Sequence, residues 1–242
     1  MILPQNSWYP IGMAATLGGF FLSMLAGLYP VAPLFIVGVI VLGWRWGWTH
    51  GRRDDVGPVT AGHDRSLPTA FEVEGTVGYW GSVFALAASA TLFASLLFGY
   101  AFLWTVAPNW PPPVLVAAML WQPLLAIGGA VIALIAARRD AVTLALVGQA
   151  AIIFALIGVI AFALPAPASH AYAATSVTVA GYALFHAGIA ATILAFLRAR
   201  IGAGFVAGAR QGERRIARLW SDHAAGSGVV TMLVLAIPGW LA

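Results

Sequence analysis

Seven apolar stretches, separated by short polar breaks, run along this chain of 242 residues. They cover about residues 9–28, 31–49, 75–106, 113–137, 141–164, 171–199 and 219–241. Each is close to the ~20 residues that carry a helix across a bilayer. The breaks are legible as turns: "LYP" closes the first stretch, "GWRWGW" the second, and "ARRD", "PAPASH" and "LRAR" the fourth, fifth and sixth. "APNWPPP" stops the third, because proline cannot continue a helix and restricts the residue before it. Backbone groups in hydrocarbon must be satisfied internally, so the stretches are predicted as helices. The period-two alternation of a membrane barrel is not present. The predicted fold is all-α: one polytopic membrane domain over 1–242, with seven transmembrane helices arranged two plus five. Helices one and two span about 9–49, a polar link about 50–74, and helices three to seven about 75–241.

The charges orient that pattern. All twelve basic residues are arginine. Arg45, Arg52, Arg53 and Arg65 lie at or after the end of helix two. Arg138 and Arg139 lie between helices four and five. Arg198, Arg200, Arg210, Arg214, Arg215 and Arg218 lie between helices six and seven. With seven crossings all of these share one side, while "LYPVAP", "APNWPPP" and "PAPASHAYAA" carry no charge. The positive-inside rule then sets the N-terminus in the cytoplasm and the C-terminus outside, in a cell inner membrane. Trp8, Tyr9, Trp44, Trp46, Trp48, Trp104, Trp110, Trp220 and Trp240 fall near predicted helix ends, the level that aromatic anchors favour.

Composition agrees: 61% of residues are hydrophobic and 8% charged, too few charges to hold a soluble surface. The basic balance reflects one-sided arginine, not nucleic-acid binding. There is no cysteine, which removes disulfides and thiolate ligands. The opening "MILPQNSWYPIG" has neither a basic n-region nor a small-residue cleavage site, so no cleaved signal peptide is read.

Candidate chemistry is sparse. Helix three carries two rows of small residues, Gly81–Ala85–Ser89 and Thr91–Ser95–Gly99, at the four-residue spacing that lets helix backbones approach closely. No Asp or Glu falls mid-helix, where a proton pump needs a titrating group. Glu72 and Glu74, at the cytoplasmic start of helix three, fit the positive end of the helix, and their functional reading is as surface proton-collecting groups. Of five histidines only His186 lies deep in a predicted helix; His223 is read as nearer the inner end of helix seven. His186, Gln122 and Gln149 are most simply buried hydrogen-bonding groups. No phosphate loop, HExxH or Ser/His/Asp set can be assembled, so no catalytic or metal-binding residue is assigned. There is also no two-fold repeat of broken helices, the usual pointer to a transporter.

Three stretches carry a resemblance. "GYWGSVFALAASATLFASLLFGYAFLW" with "NWPPP" after it, "LFHAGIAATIL", and "LWSDHAAGSGVVTMLVLAIPGWL" resemble the third, sixth and last helices of subunit III of haem-copper cytochrome c oxidases, especially fused forms. The family's helix-three Glu is replaced here by Ser89 or Ala90, its second helix-six His by Ile189, and the His after Trp220 by Ser221. The resemblance implies a non-catalytic accessory subunit packed against oxidase subunits I and II. It would bind no haem or copper itself, those being held by subunit I, and it would hold phospholipid. Ser89, Ser95, Gly99, His186 and Trp220 are then the expected packing or lipid contacts. Two alternatives stand beside it. One is subunit III of a quinol oxidase or a nitric-oxide-reductase accessory protein, forms with fewer helices. The other is a small-solute channel or carrier lined by Gln122, Thr143, Gln149 and His186.

Overall fold

The computed structural model describes residues 7–50, 59–60, 66–67, 76–108, 110, 121–164, 166–206 and 212–241. Seven helices account for nearly all of them: α1 (Tyr9–Leu25), α2 (Ala32–His50), α3 (Val77–Val106), α4 (Trp121–Arg138), α5 (Val142–Gly158), α6 (Ala171–Gly202) and α7 (Gly212–Leu241). Two short strands, β1 (Val59–Thr60) and β2 (Ser66–Leu67), pair antiparallel within the predicted polar link. Among the described residues four helices are long and apolar enough to cross a membrane: α3, α4, α6, and α5 carried on to Phe162. The chain is a helical membrane protein on that ground. Apolar helices α1 and α2 are shorter, and α7 carries five charges in its first eleven residues.

The chain divides into two compact units, residues 1–70 and 71–242. In the first, α1 and α2 form a hairpin. Gly27 makes its turn at φ 71°, a conformation glycine adopts without strain, and Leu28 N–H reaches back to the Ser23 carbonyl at 2.8 Å. Their contact is built on glycines too: a Cβ on Gly38 would touch Thr16.

The second unit holds α3 to α7. The tightest pair is α4 with α5, crossing where Gly129 faces Gly148. A Cβ on Gly129 would stand 2.7 Å from the Gly148 carbonyl oxygen, and one on Gly148 2.5 Å from that of Gly129. Around this crossing the core is alanine-rich, with Ala126, Ala130, Ala133, Ala145, Ala155 and Ala183 among its buried residues. Small side chains let backbones approach and gain dispersion contacts where lipid supplies no hydrophobic drive. The α4–α5 turn closes on Asp140 at φ 53°. α5 ends in one π-helical turn, Val159–Ala163.

α3 touches the unit along one stripe, Leu86, Phe93 and Tyr100, at seven-residue spacing. Its other faces carry exposed Trp80, Phe84, Phe98 and Phe102. The small-residue rows of α3 divide: Ser89 meets α6. Gly81 and Gly99 face open space, and Thr91 and Ser95 are exposed with their hydroxyls bonded to carbonyls one turn back on α3. The close approaches belong to α4 and α5.

Helix seven is also corrected. It starts at Gly212 rather than about 219, so Arg214, Arg215 and Arg218 ride on a helix instead of in a loop. α6 runs on to Gly202, past the predicted end near 199. Residues 113–120 of the fourth predicted span lie outside the described residues, as do Glu72, Glu74, Arg52, Arg53, Arg65 and Arg210.

The two ends of this unit differ in chemistry. At one end Arg138 pairs with Asp222, Arg214 and Arg218 face Asp140, and Arg218 Nε donates to the Ala137 carbonyl. The α4–α5 turn and the α6–α7 connection therefore share a side. At the other end Trp110 packs edge-on against Tyr100 and Tyr172. His170 caps α6 there: its Nδ1 accepts from Tyr172 N–H at 3.0 Å, and its Nε2 donates to the Pro108 carbonyl at 3.2 Å.

Candidate functional site

Where α3, α6 and α7 meet, four polar side chains join. Ser89 comes from α3, Tyr182 and His186 from α6, and His223 from α7. Tyr182 and His186 are four residues apart on one helix and so share a face. Their rings stack at 4.1 Å, and Phe93 stacks on the other side of Tyr182 at 4.8 Å.

The hydrogens can be assigned by counting. His186 Nδ1 lies 2.9 Å from the Tyr182 carbonyl oxygen, which can only accept, so Nδ1 carries the proton. In the neutral ring Nε2 is then an acceptor, and Ser89 Oγ–H donates to it at 2.6 Å. The Tyr182 hydroxyl donates to the Ser89 carbonyl at 2.7 Å, with Ser89 Oγ 2.9 Å away. Its lone pair is left to accept from His223 Nε2–H at 3.1 Å. The result is a directed chain, His223 to Tyr182 to Ser89 to His186, in which every donor has an acceptor. Trp220 lies parallel to His186 at 6.4 Å, and the two imidazoles are 5.0 Å apart.

Trp220 flanks the cluster from the third turn of α7, between Arg218 and Asp222. His223 follows Asp222, whose carboxylate faces Arg138 at the arginine end, and its ring stands 5.0 Å from that of His186. Tyr182 and His223 were not among the predicted site residues. The signal for Tyr182 was its spacing from His186. His223 had the matching signal of lying three residues after Trp220.

A serine hydrogen-bonded to an imidazole is also the start of a nucleophilic site. Acyl transfer needs N–H donors aimed at the developing oxyanion as well. Ser89 is in the middle of α3, where backbone N–H groups are committed to carbonyls four residues back. The cluster's hydrogen bonds tie α3, α6 and α7 together. Its two imidazoles are the groups suited to a metal, yet both Nε2 atoms already face hydroxyls. Among the described residues no three His, Asp or Glu side chains converge.

The other deep polar groups lie elsewhere. Gln149, fully buried, donates through Nε2 to both the carbonyl and the hydroxyl of Ser221 at 3.0 Å, tying α5 to α7. Gln122 is buried on α4, where its Cγ borders Gly158. Thr143 accepts from Arg198 Nε at 2.9 Å at the arginine end. Thr143, Gln149 and His186 thus make separate contacts. No family model matches the chain, and no curated protein matches its sequence. The class that the fold and cluster define is a helical membrane protein with a hydrogen-bonded Ser–Tyr–His–His clamp at a three-helix junction.

Proposed function

We propose that this chain is a non-catalytic accessory subunit of a terminal haem-copper respiratory oxidase, similar to subunit III of cytochrome c oxidases. It crosses a cell inner membrane seven times, with its N-terminus in the cytoplasm and its C-terminus outside. It packs against subunits I and II, which hold the haem and copper, and it keeps phospholipid in place beside them. The observation that carries this reading is the junction of α3, α6 and α7. The three stretches that resemble the family are distant in sequence, and their polar residues Ser89, His186 and His223 with Trp220 converge on one clamp. A second support is the exposed aromatic and aliphatic surface of α3, which suits lipid or a neighbouring subunit.

The test is extraction in mild detergent, pull-down through a tag on this chain, and a reduced-minus-oxidised spectrum of the eluate. Oxidase-type haem bands with a large copurifying subunit are expected. A haem-free protein that stays intact alone overturns the proposal.

A further inference from the structure

The cluster at the junction of α3, α6 and α7 holds one contact more than its neutral form uses. His186 Nδ1–H is given to the Tyr182 carbonyl, and the Ser89 hydroxyl donates to His186 Nε2 at 2.6 Å. The Tyr182 hydroxyl donates to the Ser89 carbonyl at 2.7 Å. The 2.9 Å approach of Ser89 Oγ to Tyr182 Oη then carries no hydrogen. A hydroxyl oxygen has two lone pairs. One on Tyr182 accepts from His223 Nε2–H at 3.1 Å, and the other is open to the Ser89 hydroxyl.

We infer that the cluster is a proton-binding site, in which His186 takes up one proton at Nε2 while α3, α6 and α7 stay tied. The added proton bonds to the Nε2 lone pair, and both ring nitrogens of the imidazolium then donate. Nδ1–H keeps the Tyr182 carbonyl, and Nε2–H meets Ser89 Oγ at 2.6 Å. The Ser89 O–H turns about its C–O bond to Tyr182 Oη, which uses the 2.9 Å contact. The bonds of Tyr182 to the Ser89 carbonyl and of His223 to Tyr182 are unchanged. One hydroxyl rotates, and no donor is stranded. The Tyr182 ring, stacked at 4.1 Å, lays its π face against the charge.

His223 has no equivalent arrangement. Its Nε2 already donates, so a proton would go to Nδ1, which makes no hydrogen bond among the described residues. The two imidazoles are 5.0 Å apart, and like charges that close oppose each other, so the cluster takes one proton and not two. Tyr182 and His223 are the titratable groups facing His186. Charged groups lie further along the elements packed there. α3 carries none, and α6 has only Arg198 and Arg200 near its end. On α7, Asp222 faces Arg138 at 3.8 Å and Arg218 faces Asp140 at 3.7 Å. An ionisable side chain held between membrane helices is uncommon and points to function. The inference rests on the junction alone, so it can fail or hold independently of the oxidase reading.

The full chain, in whatever complex it is extracted with, is isotopically labelled at its histidine ring nitrogens and followed by NMR from about pH 9 to about pH 5, the range around the ordinary imidazole titration. His186→Gln identifies the His186 signals. At the alkaline end His186 is expected in the Nδ1–H form, with Nε2 a hydrogen-bonded acceptor. On acidification both of its nitrogens should gain hydrogen while His223 stays neutral and the protein stays folded. Ser89→Ala removes the acceptor that the charged ring needs, and proton affinity at His186 should fall about tenfold. Ser89→Thr keeps the hydroxyl and should titrate as the parent does. A His186 ring that stays neutral until the chain unfolds overturns the inference, as does an Nε2–H form at the alkaline end or a proton taken up at His223 instead. Unchanged uptake in Ser89→Ala overturns it too. The parent's own spectra decide the first three outcomes, whether or not either variant folds.

Discussion

Ser89 Oγ lies 2.6 Å from Nε2 of His186, a bond between α3 and α6 across 97 positions of sequence. It closes a chain in which each donor has one acceptor, so losing any member strands a neighbour. Ser89→Ala leaves the His186 acceptor unpaired and is expected to cost about 1–2 kcal/mol. In a double-mutant cycle with His186→Phe the two losses should fall short of additivity by about 0.5–1.5 kcal/mol, the scale of interhelical hydrogen bonds in membranes. Unfolding of the four proteins in detergent measures this, and strict additivity would remove the pairing.

The glycine crossing of α4 and α5 predicts a contrast. Gly148→Ala drives a Cβ into the backbone of α4, with Gly129 O at 2.5 Å and Ala133 N at 2.6 Å. A backbone obstacle cannot rotate away, so a loss of about 1–3 kcal/mol is expected. Gly99→Ala meets open space. It should leave stability unchanged or slightly raised, because alanine is the better helix former. Equal effects at the two sites would contradict the packing described.

Gln149 offers a test of buried polarity. Its Nε2 serves Ser221 twice, while its Oε1 is buried without a partner. Gln149→Leu removes the donor together with the stranded acceptor at similar volume, and is expected to cost no more than about 1 kcal/mol. Gln149→Ala leaves a cavity as well and should cost about 2 kcal/mol or more. Thermal midpoints of the two variants in one detergent decide the order.

Arg200 needs Glu213 because its guanidinium is buried. Glu213→Gln is expected to destabilise by about 1–3 kcal/mol, less than a fully buried pair because the Glu side chain is 41% exposed. Arg200→Lys should not substitute, since an ammonium cannot make the two parallel bonds. A lysine variant as stable as the parent would show that charge alone matters here.

The lack of native cysteine makes topology directly measurable. Single cysteines at Arg139 and Ser169 occupy opposite ends of the second unit, the first in the α4–α5 turn and the second before α6. An impermeant thiol reagent applied to intact cells should label the Ser169→Cys protein. The Arg139→Cys protein should label only after the membrane is opened. The reverse pattern would invert the assigned orientation.

Much of the fold was legible in the residues alone. Runs of apolar residues near bilayer length, broken by proline and arginine, were enough for seven helices and a membrane, because both depend on local composition. Local composition also placed Arg138, Arg198, Arg214 and Arg218 at one end. The facing of each helix was not legible. A helix apolar all round has no polar face to point outward, so its pattern does not say which side meets a neighbour. That is why the pattern alone does not separate Gly81 and Gly99, which meet nothing within this chain, from Gly129 and Gly148, which carry the α4–α5 crossing. It is also why Tyr182 and His223 escaped notice. Their partners lie 93 and 41 positions away, and only the packing of α3, α6 and α7 decides that a serine, a tyrosine and two histidines share one set of protons.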